Sequence, residues 1–292
     1  MLYASGKSRS LKKGKDMEKS PERLRVLEKI DNFERQEMWH SPVEDDPESI
    51  ELLPSKVDYL NKKLSSKIAT RFANRMATKF YESMIKNNQM IIKDIVGIEN
   101  VLAVKGGAMI TCNHFNPCDN YAIYRAIKPH MPKKWRLYKV IREGNYTSFP
   151  GAIGFFFRHC NTLPLSRNSE TMKKFMSAVN TLLKRGEKIL IYPEQEMWWN
   201  YKKPRPMKKG AFRFAVTCNV PVIPAYITME DSEYMDNTGF PVQAYTVHFL
   251  PPLYPKKDLS KKENIDYLMG ENYKLWVETY EKTYKQKLKY LK

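Results

Sequence analysis

Apolar positions return along this chain in two rhythms, and the order of those rhythms predicts an architecture. Over residues 57–85 an apolar side chain comes back every fourth position or so: Leu60, Leu64, Ile68, Phe72, Met76, Phe80, Met84. That is the spacing of one face of a helix. Between them stand Lys62, Lys63, Lys67, Arg71, Arg75 and Lys79, so the predicted helix is amphipathic and basic. Further on, short apolar runs predict strands over 90–96, 108–112, 135–141, 188–192, 221–228 and 242–250. Helical spacing fills 119–128, 169–184, 208–218 and 264–291, with Gly186 closing the second of these as a C-terminal cap. Strands separated by helices predict an α/β fold, a mostly parallel sheet flanked by helices, with functional groups at strand ends. Three segments follow. Residues 1–52 read as a charged, flexible lead-in with a short helix over 21–38, residues 53–88 as a basic helical appendage, and residues 89–292 as the α/β domain. No internal repeat is visible.

Charge narrows the partners without choosing one. The 292 residues carry a formal net charge of +18, which suits nucleic acid, an anionic membrane surface or a phosphorylated substrate. Zinc-finger spacing and base-stacking motifs are missing from the sequence, which argues against nucleic acid. The four cysteines have no metal-ligand spacing, so no metal is expected and reduced, cytosolic thiols are. The first twenty residues are basic but lack an apolar core of signal-peptide length, and no run approaches eighteen apolar residues. Neither a secretion signal nor a membrane span is expected. The basic helix has two open readings, lying in a membrane interface among anionic headgroups or packing on the protein's own core.

One stretch carries candidate chemistry. The apolar run 108–112 leads into Asn113-His114-Phe115-Asn116-Pro117-Cys118-Asp119, and a helix is expected to open at Asp119. His114 then leaves a strand end with Asp119 just across the turn. A carboxylate against an imidazole fixes its tautomer and steadies the imidazolium, so the pair can take a proton from a hydroxyl. It is a catalytic triad without its serine, and the nucleophile must be a substrate alcohol. On spacing alone an ordinary His and Asp explain it as well. The other histidines frame that alternative: His40 and His130 read as exposed, His159 and His248 as isolated.

Three further blocks change the balance: 161–167 ending in Arg167, the strand 189–192 running into Pro193, Glu194, Gln195 and Glu196, and Val220-Pro221-Val222-Ile223-Pro224. In this order, with Asn113, His114 and Asp119 ahead of them, they resemble the four blocks of the glycerolipid acyltransferases, the 1-acylglycerol-3-phosphate O-acyltransferase family. Asn113-His114 through Asp119 resembles its Asn-His-x4-Asp, Arg167 stands at its second-block arginine, and Tyr192-Pro193-Glu194 resembles the start of its Phe-Pro-Glu-Gly-Thr-Arg. The likeness spans about 90–255 and includes Lys209, Gly210 and Ala211. It implies transfer of an acyl group from acyl-CoA or acyl carrier protein to 1-acyl-glycerol-3-phosphate, with no other cofactor. His114 and Asp119 are the implied catalytic pair, and Asn113, Arg167, Pro193 and Glu194 the implied substrate-binding residues. It further implies a peripheral location on the cytoplasmic face of the cell membrane.

Met197 breaks the pattern where the family carries an arginine, so the acceptor phosphate loses one implied partner. Lys202, Lys203, Arg205, Lys208 or Lys209 could reach back to replace it. Another lysophospholipid or lipid alcohol therefore stays open as acceptor, as does a non-catalytic basic module. Trp198, Trp199 and Tyr201 fit either an interfacial anchor or a packed loop, and Ile153, Phe155, Phe156 and Phe157 either an acyl groove or core.

Overall fold

A computed structural model of the chain describes residues 17–132 and 135–292. Its centre is a seven-stranded sheet in the order β1 (Ile91–Val96), β7 (Pro241–Phe249), β6 (Val222–Met235), β2 (Ala108–Thr111), β5 (Lys188–Ile191), β3 (Leu137–Ile141), β4 (Thr162–Pro164). Neighbours are parallel except β6 and β7, which form a long antiparallel pair. The fold is thus the expected one, a mostly parallel sheet with helices on both faces. β2 and β5 are buried at every position, which is why they read as unbroken apolar runs rather than alternating ones.

Two hydrophobic layers sandwich the sheet. One gathers Ile110, Leu190, Ile223 and Ile227 under α4 (Asp119–Ile127), with Met84 of α2 (Leu64–Lys86) and Val101 of α3 (Ile98–Ala103). The other gathers Met109, Ile189 and Ile191 under α7 (Ser169–Lys184), α8 (Gly210–Cys218) and Leu268 of α9 (Lys261–Tyr284). Adjacent residues of one strand feed opposite layers, as a pleated strand requires. The α7 start is fixed by Asn168, whose side chain accepts from the amides of Glu170 and Thr171. Its end is fixed by Gly186 at φ +88°, as the sequence predicts.

Some expectations need correction. In the described part of the lead-in over 1–52 the expected short helix forms, and it packs on the domain rather than standing in solvent. α1 (Pro21–Arg35) buries Val26 and Ile30 against Trp198 and Trp199, and the irregular segment after it buries Val43 and Leu52. Its few apolar residues sit among charges and give a weak periodic signal, yet they suffice because the loop they meet is aromatic. The basic run over residues 1–16 lies outside the described residues. β4, α3 and α5 (Glu143–Thr147) were not predicted, being too short to establish a rhythm, nor was α6 (Gly151–His159), whose crowded apolar residues leave no polar face to mark a period. α9 opens earlier than expected, at a Ser260–Glu263 capping box, and closes earlier, at Lys285 with φ 52°.

Candidate active site

Register explains how distant blocks meet. Thr111 pairs with Ile191, Leu190 with Lys139, and Val140 with Leu163, all in parallel. Three residues past that row stand His114 after β2, Glu194 after β5, Glu143 after β3 and Ser166 after β4. The first three blocks therefore leave the sheet at one edge, the carboxyl ends of its parallel strands, while the fourth enters β6.

His114 and Asp119 meet there. The imidazole Nδ1 donates to Asp119 Oδ2 at 2.8 Å, which leaves Nε2 as the basic nitrogen. Asp119 Oδ2 also accepts the amides of Phe115 (3.1 Å) and Asn116 (3.3 Å), and Oδ1 accepts the Tyr192 hydroxyl at 2.6 Å. The carboxylate is fully buried at the N-terminus of α4, beside the positive end of the helix dipole, while the His114 side chain keeps 22% exposure. A proton can reach the base but water cannot surround the acid. Tyr192 lies flat on the imidazole, ring centroids 4.0 Å apart and planes 18° from parallel.

Glu194 holds this corner from behind. Its Oε2 accepts the His114 amide (3.1 Å) and Arg205 Nη2 (3.0 Å), and its Oε1 accepts the Arg205 amide (2.8 Å). Glu194 and Arg205 are almost wholly buried, and the guanidinium stacks over Trp198 at 4.5 Å. Both carboxylate oxygens are thus committed inside the protein. Asn113 is likewise committed: its amide donates to the Ile227 carbonyl (3.0 Å) and accepts the Ile227 amide (2.8 Å). It locks the end of β2 to β6. Pro193 is buried and its carbonyl takes the Lys208 amide at 2.8 Å. Of the four implied substrate-binding residues, three are in fact built into the scaffold that aims His114.

Arg167 is the exception. Its side chain is 72% exposed, with Nε on Glu143 Oε2 (3.2 Å) and Nη2 on the Ser49 carbonyl (3.1 Å). It stands three strands from His114, about 14 Å across the sheet edge at ordinary strand spacing. Glu143 organises this end, accepting from the amide of Leu52 (2.7 Å) and from Ser166 Oγ (2.7 Å) as well as from Arg167. Burial resists its ionisation, but those hydrogen bonds outweigh it and hold the carboxyl below its ordinary value.

The departure after Glu194 has a structural counterpart. Gln195 occupies the glycine position of the family pattern and keeps a left-handed turn, φ 69°. Glu196 then turns to Arg142, whose Nη1 lies 2.9 Å from both carboxylate oxygens, and Asp46 takes the Nη2 side. Arg205 does reach back, as one of five candidates, but to Glu194 rather than to an open surface. Sequence reasoning missed Arg142 and Glu143; their signal was their place just after a predicted strand. Trp198 and Trp199 prove to be packed, with Trp198 fully buried against Phe33 and Trp39.

A family model described as Acyltransferase matches residues 93–228, a span that contains His114, Asp119, Arg167 and Glu194. The acyltransferase family model thus covers just under half of the chain. Over 132 residues the chain is 29% identical to an uncharacterized acyltransferase of Schizosaccharomyces pombe, covering 44% of this chain and 44% of that relative, less than half its length. Among solved structures the chain is similar to the 1-acyl-sn-glycerophosphate (LPA) acyltransferase PlsC from Thermotoga maritima. That match has a TM-score of 0.50 at 16% identity and spans 79% of this chain and 87% of that one, a likeness of fold.

Proposed function

We propose that this acyltransferase domain moves a fatty acyl group from an acyl thioester to the free hydroxyl of a lysophospholipid, with 1-acyl-glycerol-3-phosphate as acceptor and phosphatidate as product. The observation that carries the reading is the buried Asp119 carboxylate on Nδ1 of a partly exposed His114. Nε2 takes the proton of the acceptor hydroxyl as its oxygen attacks the thioester carbonyl. The tetrahedral adduct then expels the thiolate, which recovers that proton from the imidazolium and leaves as free thiol. General-base catalysis contributes roughly 10²- to 10⁴-fold. Arg167 offers a planar, exposed guanidinium to the acceptor's phosphate.

The acceptor is a membrane lipid, and α2 fits a membrane surface. Leu64, Ile68, Phe72, Met76 and Phe80 form an exposed apolar row, each more than 40% exposed. Lys63, Lys67, Arg71, Arg75 and Lys79, all exposed, run beside it one residue earlier. The helix packs on the protein through its other face, by Ala73, Tyr81 and Met84. Such a pairing of rows suits acyl chains below and anionic headgroups around them. No described helix is long and apolar enough to cross a membrane. α6 lies alongside, its Phe155 ring 6.1 Å from Phe72. Its half-buried Phe155 and Phe156 offer an acyl chain a path from that surface.

Met197 and the pairing of Arg142 with Glu196 support a second reading, the same transfer to an acceptor with a different headgroup. The test is release of free thiol from acyl-CoA with each of a panel of hydroxyl acceptors. The expected result is turnover with 1-acyl-glycerol-3-phosphate that drops at least a hundredfold in His114→Ala with folding unchanged. Near-normal turnover in that variant removes the dyad from the reaction.

A further inference from the structure

Tyr192 touches both halves of the dyad. Its hydroxyl donates to Asp119 Oδ1 at 2.6 Å, and its ring covers the His114 imidazole at 4.0 Å. These contacts come from one residue, the first past the end of β5, and the family pattern has phenylalanine there. A phenyl ring can keep the stack; only tyrosine adds the hydroxyl. We propose that Tyr192 is a positioning residue that sets the strength of His114 as a base by holding the outer oxygen of Asp119. The inference rests on the acyl-transfer reading for its consequence in catalysis, though not for its chemistry.

The chain of effects is electrostatic. Asp119 Oδ2 already serves the imidazole and two amides, so Oδ1 is where its charge can still be spread. A hydroxyl donor at Oδ1 draws density from the carboxylate, and an imidazole facing a weaker negative charge binds its proton less tightly. Burial first, and then the Asp119 charge, push the Tyr192 hydroxyl well above its ordinary range, so it stays a donor across the working pH. The neighbouring thiols and the Tyr81 hydroxyl stay protonated beside it. Cys112 and Tyr81 are pushed well up by burial, and Cys118 up to about 12. Glu194 is held by Arg205. His40 touches only the Glu194 carbonyl, at 3.2 Å, and burial pushes it down.

The experiment compares native protein with Tyr192→Phe by nitrogen-15 NMR titration of the imidazoles, the His114 resonance being identified by its loss in His114→Gln. The expected result is an upward move of the His114 midpoint by about half a unit or more in Tyr192→Phe, with the His40 midpoint unchanged. In the thiol-release assay, the acid limb of the rate profile moves the same way, so kcat on that limb falls about threefold with KM unchanged. An unmoved His114 midpoint overturns the proposal, whether or not kcat falls, because a purely structural role lowers stability without moving a titration. Native protein that releases no thiol on any acceptor defeats the acyl-transfer reading alone, since the NMR titration needs no turnover.

Discussion

Taking the guanidinium away from Arg205 leaves the Glu194 carboxylate buried opposite no cation. Arg205→Met is therefore expected to destabilise the fold by about 3–5 kcal/mol, and Glu194→Gln added to it to recover a good part, as urea unfolding of the single and double variants will show. Neighbouring Gln195 makes the opposite prediction. A non-glycine residue at φ 69° carries strain on the order of 1 kcal/mol, so Gln195→Gly raises the melting temperature modestly unless its unfolded-state entropy cancels the gain; calorimetry decides. At this scale the sequence was a good guide to which residues gather and a poor one to what they do. His114 and Asp119 could be paired because five residues and one turn separate them, and local geometry leaves few options. Asn113 and Pro193 were legible as members of the site but not as scaffold, and Glu194 as either a substrate contact or a pin for the arginine loop. Their partners, the Ile227 backbone, the Lys208 amide and Arg205, are set by sheet register and loop path, which no local pattern encodes.

The elements followed their length. α7, with sixteen residues and an Asn cap, was read to its ends, whereas the three-residue β4 left no period to detect. β4 nonetheless matters, because its exit carries Ser166 and Arg167 onto Glu143. That carboxyl is held below its ordinary value in the folded state, so its contribution is present above the unfolded value and is lost as pH falls through the folded one. Glu143→Gln should lose about 1–3 kcal/mol at neutral pH and show a shallower loss of stability on acidification than the native chain, measured by urea midpoints over a pH series. For α2, periodicity fixed the helix but not which side faces inward. The every-fourth-residue row was expected to be the packed face or the lipid face; it is exposed from Leu64 to Phe80, and only its last member, Met84, turns into the core beside Ala73. Ile68→Asp together with Phe72→Asp should cut sedimentation with anionic vesicles at least tenfold and leave unfolding unchanged, since neither side chain is buried.

Across the whole molecule, α1 and the segment after it close over the far side of the active-site loops. Trp198 Nε1 donates to the Ser41 carbonyl, His40 reaches the Glu194 carbonyl, and Arg205 Nη1 donates to the Trp39 carbonyl. Composition gave this region as a solvated lead-in because its charges outnumber its apolar residues; tertiary packing overrides that average. The inner face of α2 has a further consequence. Tyr81 stacks on Tyr121 at 4.2 Å, and Glu82 accepts from Tyr121 Oη, so the helix is seated on α4, the element whose first residue is Asp119. On the membrane reading proposed above, that seating sets the imidazole's own helix against the bilayer-facing one, so a greasy substrate would arrive sideways from its leaflet rather than from bulk solvent.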